Sequence, residues 1–216
     1  MIKIGCHIYR DMTVSDIRIT LEDGKRLVMA AREAVTRFLK EGSVEKNANL
    51  ESRFSAKSGV FVTLNDSSGL RGCIGYPFPD RNLSFALTDA AISAATKDPR
   101  FPPLNLEELN HITFEITILT PPERIQANSP DEYIAQISIG RDGLIIRKGP
   151  ESGLLLPQVP AEYGWNETEF LEHTCQKAGL PEDSWKESKV IVEKFQGIIF
   201  MEESPGGNVI EKTALK

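Results

Sequence analysis

Apolar residues recur at helical spacing early in the chain, at Leu27, Val28, Ala31, Ala34, Val35, Phe38 and Leu39. Positions three and four apart share one helix face, so the stripe predicts an amphipathic helix over residues 21–41 that packs on a sheet. Thr20 with Asp23 resembles a capping box at its start, and Gly42 ends it. The pattern then changes period. Gly59-Val60-Phe61-Val62-Thr63-Leu64 is β-branched and aromatic, Asn65-Asp66-Ser67-Ser68-Gly69 is turn chemistry, and Leu70 opens another run; together they predict a hairpin. Asp80 or Asn82 caps a second helix bearing Leu83, Ala86, Leu87, Ala90, Ala91, Ala94 and Ala95, whose alanines permit close backbone approach. Asp98-Pro99-Arg100-Phe101-Pro102-Pro103 cannot continue it, because the prolines remove donors and bias the residues before them towards extended form. Asn105 with Glu108 starts one more helical turn. His111 to Leu119 then alternates, with Ile112, Phe114, Ile116 and Ile118 on one face, as a half-buried strand does.

Pro121-Pro122 marks a candidate boundary. Ser129-Pro130-Asp131-Glu132 reads as a helix start, with a capping serine, proline at the first helical position and two acids. Turns at Gly140–Gly143 and Gly149–Gly153 frame Leu144-Ile145-Ile146-Arg147 and Leu154-Leu155-Leu156-Pro157, which predicts a second small hairpin. Asn166 with Glu169 caps a helix through Ala178, closed by Gly179 and Pro181. Val190 to Met201 supplies one or two strands, and residues 204–216, with Pro205-Gly206-Gly207, read as a mobile tail. The stretch up to Ile19 reads as an extended piece or an arm. Hairpins and helices without a regular strand–helix repeat place the chain in the α+β class with antiparallel sheets.

Composition narrows the function. A length of 216 residues fits one domain or two closely joined subdomains. The longest apolar runs, such as Gly197-Ile198-Ile199-Phe200-Met201, fall far short of the about 20 residues that cross a bilayer. The start shows no basic segment followed by a long apolar core, so a cytoplasmic location and no membrane partner are expected. A net charge of −6 without any run of four Lys/Arg argues against nucleic acid. Cys6, Cys73 and Cys175 are odd in number and widely spaced, which argues against a disulfide framework. Cys6-His7 and His173-Thr174-Cys175 each lack a second ligand pair, so no metal site is expected. No phosphate-loop, dinucleotide, serine-hydrolase or zinc-protease pattern occurs, and no cofactor is expected.

The chemistry concentrates in Leu70-Arg71-Gly72-Cys73-Ile74-Gly75. As a regular strand it points Leu70, Gly72 and Ile74 one way and Arg71, Cys73 and Gly75 the other. Cys73 then reads either as a nucleophilic or redox thiol activated by Arg71, or as a small buried residue in a tight strand. Arg71 is either a fork for a partner's carboxylate or phosphate, or half of an internal salt bridge to Glu162 or Glu115. Arg100 divides the same way, on a stiff loop suited to packing or recognition. Gln158 and Glu162 are polar groups in a constrained turn, and Trp165 serves as packing anchor or stacking platform. No histidine can be placed beside Cys73 from sequence.

These segments resemble the AMMECR domain family. Its signature hexapeptide is present unbroken as residues 70–75. Further matches are Asp98-Pro99-Arg100-Phe101, Leu155-Leu156-Pro157-Gln158-Val159, Trp165, Phe170-Leu171, Ala178-Gly179-Leu180 and Trp185. The resemblance implies a single domain over 1–216 built from two unequal subdomains, each an antiparallel sheet with packed helices. Placed on the pattern above, the large one combines about 1–122 with 188–216, and the small one is about 123–187. The hexapeptide then sits at a wide cleft between them, suited to a protein or peptide partner. The family is associated with a Memo-type protein and a radical S-adenosylmethionine enzyme, which implies a role in modifying some partner. Three readings stand. Leu70, Arg71, Gly72, Cys73, Ile74, Gly75, Arg100, Gln158 and Glu162 bind a partner; or Cys73 and Arg71 are catalytic in a thiol-dependent enzyme; or the motif is purely structural at the subdomain junction.

Overall fold

The computed structural model describes residues 19–43 and 48–212. The expected N-terminal arm, with Cys6 and His7, lies outside the described residues, as do residues 213–216 of the expected tail.

Helix α1 (Leu21–Glu41) starts in the reciprocal box the sequence predicts: the Asp23 amide donates to Thr20 Oγ1 at 3.2 Å and the Thr20 amide to the Asp23 carboxylate at 3.1 Å. Its apolar stripe is buried, and Gly24 lets the Phe200 ring approach where a Cβ would lie 2.1 Å from it. A short helix, α2 (Ala48–Arg53), buries none of its residues and leaves no trace in the hydrophobic pattern. β1 (Val60–Asp66) and β2 (Gly69–Tyr76) form the predicted hairpin. α3 (Leu83–Thr96) presses its alanine-rich face on both strands; Asn82 precedes it without a side-chain capping bond. A 3-10 turn, Glu108–His111, takes the first residue of the expected strand, and β3 (Thr113–Leu119) keeps the alternation.

β4 (Glu123–Arg124) and α4 (Pro130–Ala135) follow, the latter capped by Ser129. β5 (Asp142–Lys148) and β6 (Glu151–Leu155) make the second hairpin. α5 (Gln158–Tyr163) and α6 (Glu167–Lys177) come next, α6 with its Asn166–Glu169 capping box. A 3-10 turn, Glu182–Lys186, leads into β7 (Ile191–Glu202) and β8 (Val209–Lys212).

All pairings are antiparallel in one eight-stranded sheet of order β2-β1-β3-β7-β5-β6, with β4 and β8 also on β7. β7 ties the sheet together: Gly197–Met201 pair with β3, while Ile191–Gln196 pair with β5. One apolar core lies between α1, α3 and the strands carrying Val62, Leu64, Phe114, Ile116 and Phe200. A second lies between α6 and β5 and includes Leu144, Ile146, Phe170, Leu171, Cys175 and Trp185. Each large side chain so buried contributes about 1.5–3 kcal/mol, which is why both stripes were visible as patterns. Leu119, Ile145 and Phe195 form a third cluster, with Phe61, Phe78, Leu154 and Leu156 packed against it.

Residues 204–212 depart from the expected mobile tail. The Gly207 amide bonds Ser204 O at 2.8 Å and the Glu203 amide bonds Asn208 O at 2.9 Å, which turns β8 back onto β7. Pro205-Gly206 makes the turn and Val209 buries itself in the first core, so a strand of only four residues holds the segment. No helix among the described residues is long and apolar enough to cross a membrane.

Candidate functional site at the β2 edge

The hexapeptide lies on β2, the edge strand. Leu64 pairs with Gly72 and Asn65 with Leu70, so Arg71 is the extra residue of a β-bulge. The bulge resets the alternation. Beyond it Gly72, Ile74 and Tyr76 face α3, while Cys73 and Gly75 face the other side with Thr63 and Phe61. Leu70, which a regular strand would set on the face of Ile74, is therefore turned away from it and is 42% exposed.

Both motif glycines answer to the protein's own packing. A Cβ on Gly72 would lie 2.3 Å from the Ala94 carbonyl oxygen of α3, and one on Gly75 would lie 2.4 Å from the Phe61 ring. The room that a missing side chain leaves at each position is thus filled from within.

Arg71 is buried, and its Nη2 and Nε lie 3.0 and 3.3 Å from Glu108 Oε1, with its guanidinium 5.9 Å from the Phe101 ring centre. Its anion is Glu108, in place of the expected Glu162 or Glu115. Glu108 is itself fixed, because Oε2 accepts the Asn105 amide at 3.0 Å. Glu115 instead pairs with Lys212 at 3.6 Å.

The guanidinium bonded to the Cys73 backbone is Arg100, whose Nη2 lies 3.4 Å from the Cys73 carbonyl. Between them stands Asp98, 4% exposed. Its Oδ2 accepts the Cys73 amide at 2.8 Å and Arg100 Nη2 at 2.6 Å; its Oδ1 accepts Arg100 Nε at 2.9 Å and the Arg100 amide at 3.1 Å. The Arg100 side chain above all, then the Cys73 and Arg100 amides, hold the Asp98 carboxyl well below the usual carboxylate range against the opposing pull of burial. An edge strand exposes unpaired amides, and Asp98 satisfies one as a neighbouring strand would. Arg100 keeps 53% of its side chain in solvent.

Cys73 is half-buried, with the Thr63 hydroxyl 3.3 Å from Sγ. Of the described histidines, His173 stacks on Trp165 and bonds Gln176, and His111 sits in the 3-10 turn; neither is bonded to Cys73. Gln158 and Glu162 are exposed on α5, and no hydrogen bond or ion pair joins them to β2. The link is apolar. Phe61, which covers Gly75, shares a cluster with Leu154 and Leu156, and Leu156-Pro157 leads directly into α5.

Sequence reasoning missed Asp98, Glu108 and Thr63. Thr63 follows from the hairpin register, which sets it opposite Cys73. Asp98 was visible as an acid just before Pro-Arg, yet only the fold reveals the strand edge it caps.

The AMMECR1 family profile matches residues 28–200. A protein of Methanocaldococcus jannaschii is 51% identical over 199 residues, covering 91% of this chain and 98% of that one. A protein of Methanopyrus kandleri is 47% identical over 198 residues, covering 90% and 96%. The crystal structure of an uncharacterised protein from Pyrococcus horikoshii superposes with a TM-score of 0.75 at 48% identity, covering 88% of this chain and 96% of that one. With its hexapeptide intact and its antiparallel α+β sheet matched, this chain belongs to the AMMECR1 family.

Proposed function

We propose that this chain binds a protein or peptide partner, in the cytoplasm, on the face of β2 that carries Cys73. The observation behind this reading is the half-buried Cys73–Thr63 pair: α3 packs on the opposite face of β1 and β2, and no helix among the described residues makes comparable contact with this one. Residues 1–122 with 188–216 act as a large subdomain and 123–187 as a small one. The partner lies in the cleft between them. Thr63, Cys73 and Phe61 form its floor, Gln158 and Glu162 its wall, and Leu70 and Arg100 its rim. An exposed cation and an apolar group beside a rigid floor suit a partner surface better than a small metabolite.

A photo-crosslinking residue placed at Leu70, in cells, tests the reading against the same residue at Met29 on α1, which is 66% exposed. A discrete protein adduct is expected at position 70, absent at position 29 and lost with Arg100→Glu. Identical patterns at both positions would reject the cleft.

A thiol-dependent enzyme is the second reading, favoured by the half-buried Cys73 thiol that the Thr63 hydroxyl orients from 3.3 Å. Its test is the pH dependence of iodoacetamide labelling at Cys73 on native protein. Protection at every pH until unfolding removes it. The purely structural reading accounts for Arg71, Gly72 and Gly75 and for the Asp98–Arg100 contacts with the Cys73 backbone, and leaves the exposed Leu70, the Cys73 thiol and the solvent-facing part of Arg100 unexplained.

A further inference from the structure

Three aromatic rings stand in a ladder where α5 gives way to α6. α5 ends at Tyr163, Gly164 turns left-handed at φ 68°, and the Trp165 amide closes back on Pro160 O at 2.9 Å. Asn166 then caps α6, whose second turn carries His173. The Tyr163 and Trp165 rings are 5.0 Å apart and 17° from parallel; Trp165 and His173 are 3.8 Å apart and 22° from parallel. Trp165, in the middle, packs partly against the second core, and His173 is held by Gln176 Oε1, 3.0 Å from Nδ1. Tyr163, at the outer end, is 69% exposed. The two inner rings are held in place, and the last ring stacks on them open to solvent.

Carboxylates predominate in the chain around it, and the nearest cation along the sequence is Lys177, one turn past His173 on α6. From Gln158 to Gln176 the chain holds four carboxylates, Glu162, Glu167, Glu169 and Glu172, and no Lys or Arg. Glu169 is spent on the α6 cap. Glu162, next to Tyr163, and Glu167, two residues past Trp165, have no hydrogen bond or ion pair among the described residues. An aromatic face attracts cations, and a planar guanidinium can stack on a ring while it bonds a carboxylate.

We propose that the Tyr163–Trp165–His173 ladder, with Glu162 and Glu167, receives an arginine side chain of the partner. This rests on the partner-binding reading above, and it gives the cleft wall a chemical preference. A lysine ammonium is compact and strongly hydrated and gains less from the ring, and a phosphorylated or nucleic-acid ligand meets like charge.

The test titrates the full chain with acetylated, amidated tetra-arginine, tetra-lysine and tetra-citrulline, read by calorimetry and by tryptophan fluorescence. Trp185, 1% exposed, is a silent internal reference. Tetra-arginine is expected to bind at least threefold tighter than tetra-lysine, and tetra-citrulline not to bind. A cation–π contact of about 0.5–2 kcal/mol makes Tyr163→Ala weaken tetra-arginine roughly two- to thirtyfold, while Tyr163→Phe keeps affinity near that of the parent. Glu162→Gln weakens binding and flattens its salt dependence. Absence of tetra-arginine binding overturns the proposal. Equal affinity for arginine and lysine with no effect of Tyr163→Ala also overturns it, as the mark of a bare acidic patch. Peptide binding without the Leu70 adduct rejects the cleft alone; the adduct without peptide binding rejects the ladder alone.

Discussion

Asp98→Ala is the most searching perturbation of this fold. The substitution removes the acceptor of the Cys73 amide and of Arg100 together. A hydrogen bond to a charged group contributes about 1.5–3 kcal/mol, and a buried amide left without a partner costs about 1–3 kcal/mol. The Arg100 ion pair adds little, because that side chain is half in water. A loss of about 2–4 kcal/mol follows, which in a chain of 216 residues lowers Tm by about 4–16 °C. Urea unfolding measures it, and hydrogen exchange at the Cys73 amide locates it. Acidity supplies an internal control. The folded-state pKa is depressed, so Asp98's contribution is complete above the unfolded value of about 3.9 and is lost as pH falls towards the folded value. The gap between parent and Asp98→Asn is therefore expected to be widest near neutral pH and to narrow progressively in acid below about pH 4. An Asp98→Ala cost under about 1 kcal/mol, or a gap that does not change with pH, would refute the role of this carboxylate as cap of the β2 edge.

Gly72→Ala drives a methyl into the Ala94 carbonyl, and backbone yields less readily than a side chain. A loss near the upper end of the 1–3 kcal/mol typical of overpacking, about 3 kcal/mol, is expected by chemical denaturation. Arg71→Ala strands Glu108 next to solvent, since that carboxylate keeps 37% of its side chain exposed. Thermal unfolding should show a loss of about 1–2 kcal/mol, well short of the 3–5 kcal/mol of a fully buried pair. Burial pushes the Cys175 thiol up to about 11, so iodoacetamide at pH 8 should leave Cys175 unlabelled in native protein and modify it once urea unfolds the chain, as mass spectrometry would report. Glu202, itself 3% exposed, accepts Arg32 at 2.5 and 2.7 Å and the Phe114 amide at 3.0 Å, so Glu202→Gln should cost about 1.5–3 kcal/mol in urea unfolding.

Features written within a few residues were legible in the sequence. The Thr20–Asp23 and Asn166–Glu169 caps, both hairpins and the alternation through Phe114, Ile116 and Ile118 depend on neighbours along the chain. The bulge at Arg71 was not legible, because the pairing of β1 with β2 creates it and nothing in Leu70-Arg71-Gly72 announces it. One inserted residue then misassigned the face of Leu70. The anion of Arg71 lies 37 residues away on a turn that the sequence presents only as a helix start, and acids at other distances are equally suitable by pattern. β8 was hidden by its shortness, since a Pro-Gly-Gly turn before four residues looks the same whether or not a strand waits to receive them. At the site, the order of the motif was readable and its division of labour was not. Arg71, Gly72 and Gly75 turned inward, and Arg100 took the exposed position.

The double allegiance of β7 limits how this protein can be cut. The stretch 123–187 arrives between β3 and β7 like a cassette, yet it borrows its central strand from the chain that follows, because Ile191–Gln196 pair with β5. Excised at those limits, it would bare the edge of β5 along Leu144, Ile145 and Ile146, a flat apolar template for self-association. The remainder would keep the other half of β7 with an equally open flank. Portability therefore ends at the shared strand: an expression fragment of either half stays soluble only if it carries residues 188–202 with it, and the two halves cannot both own them.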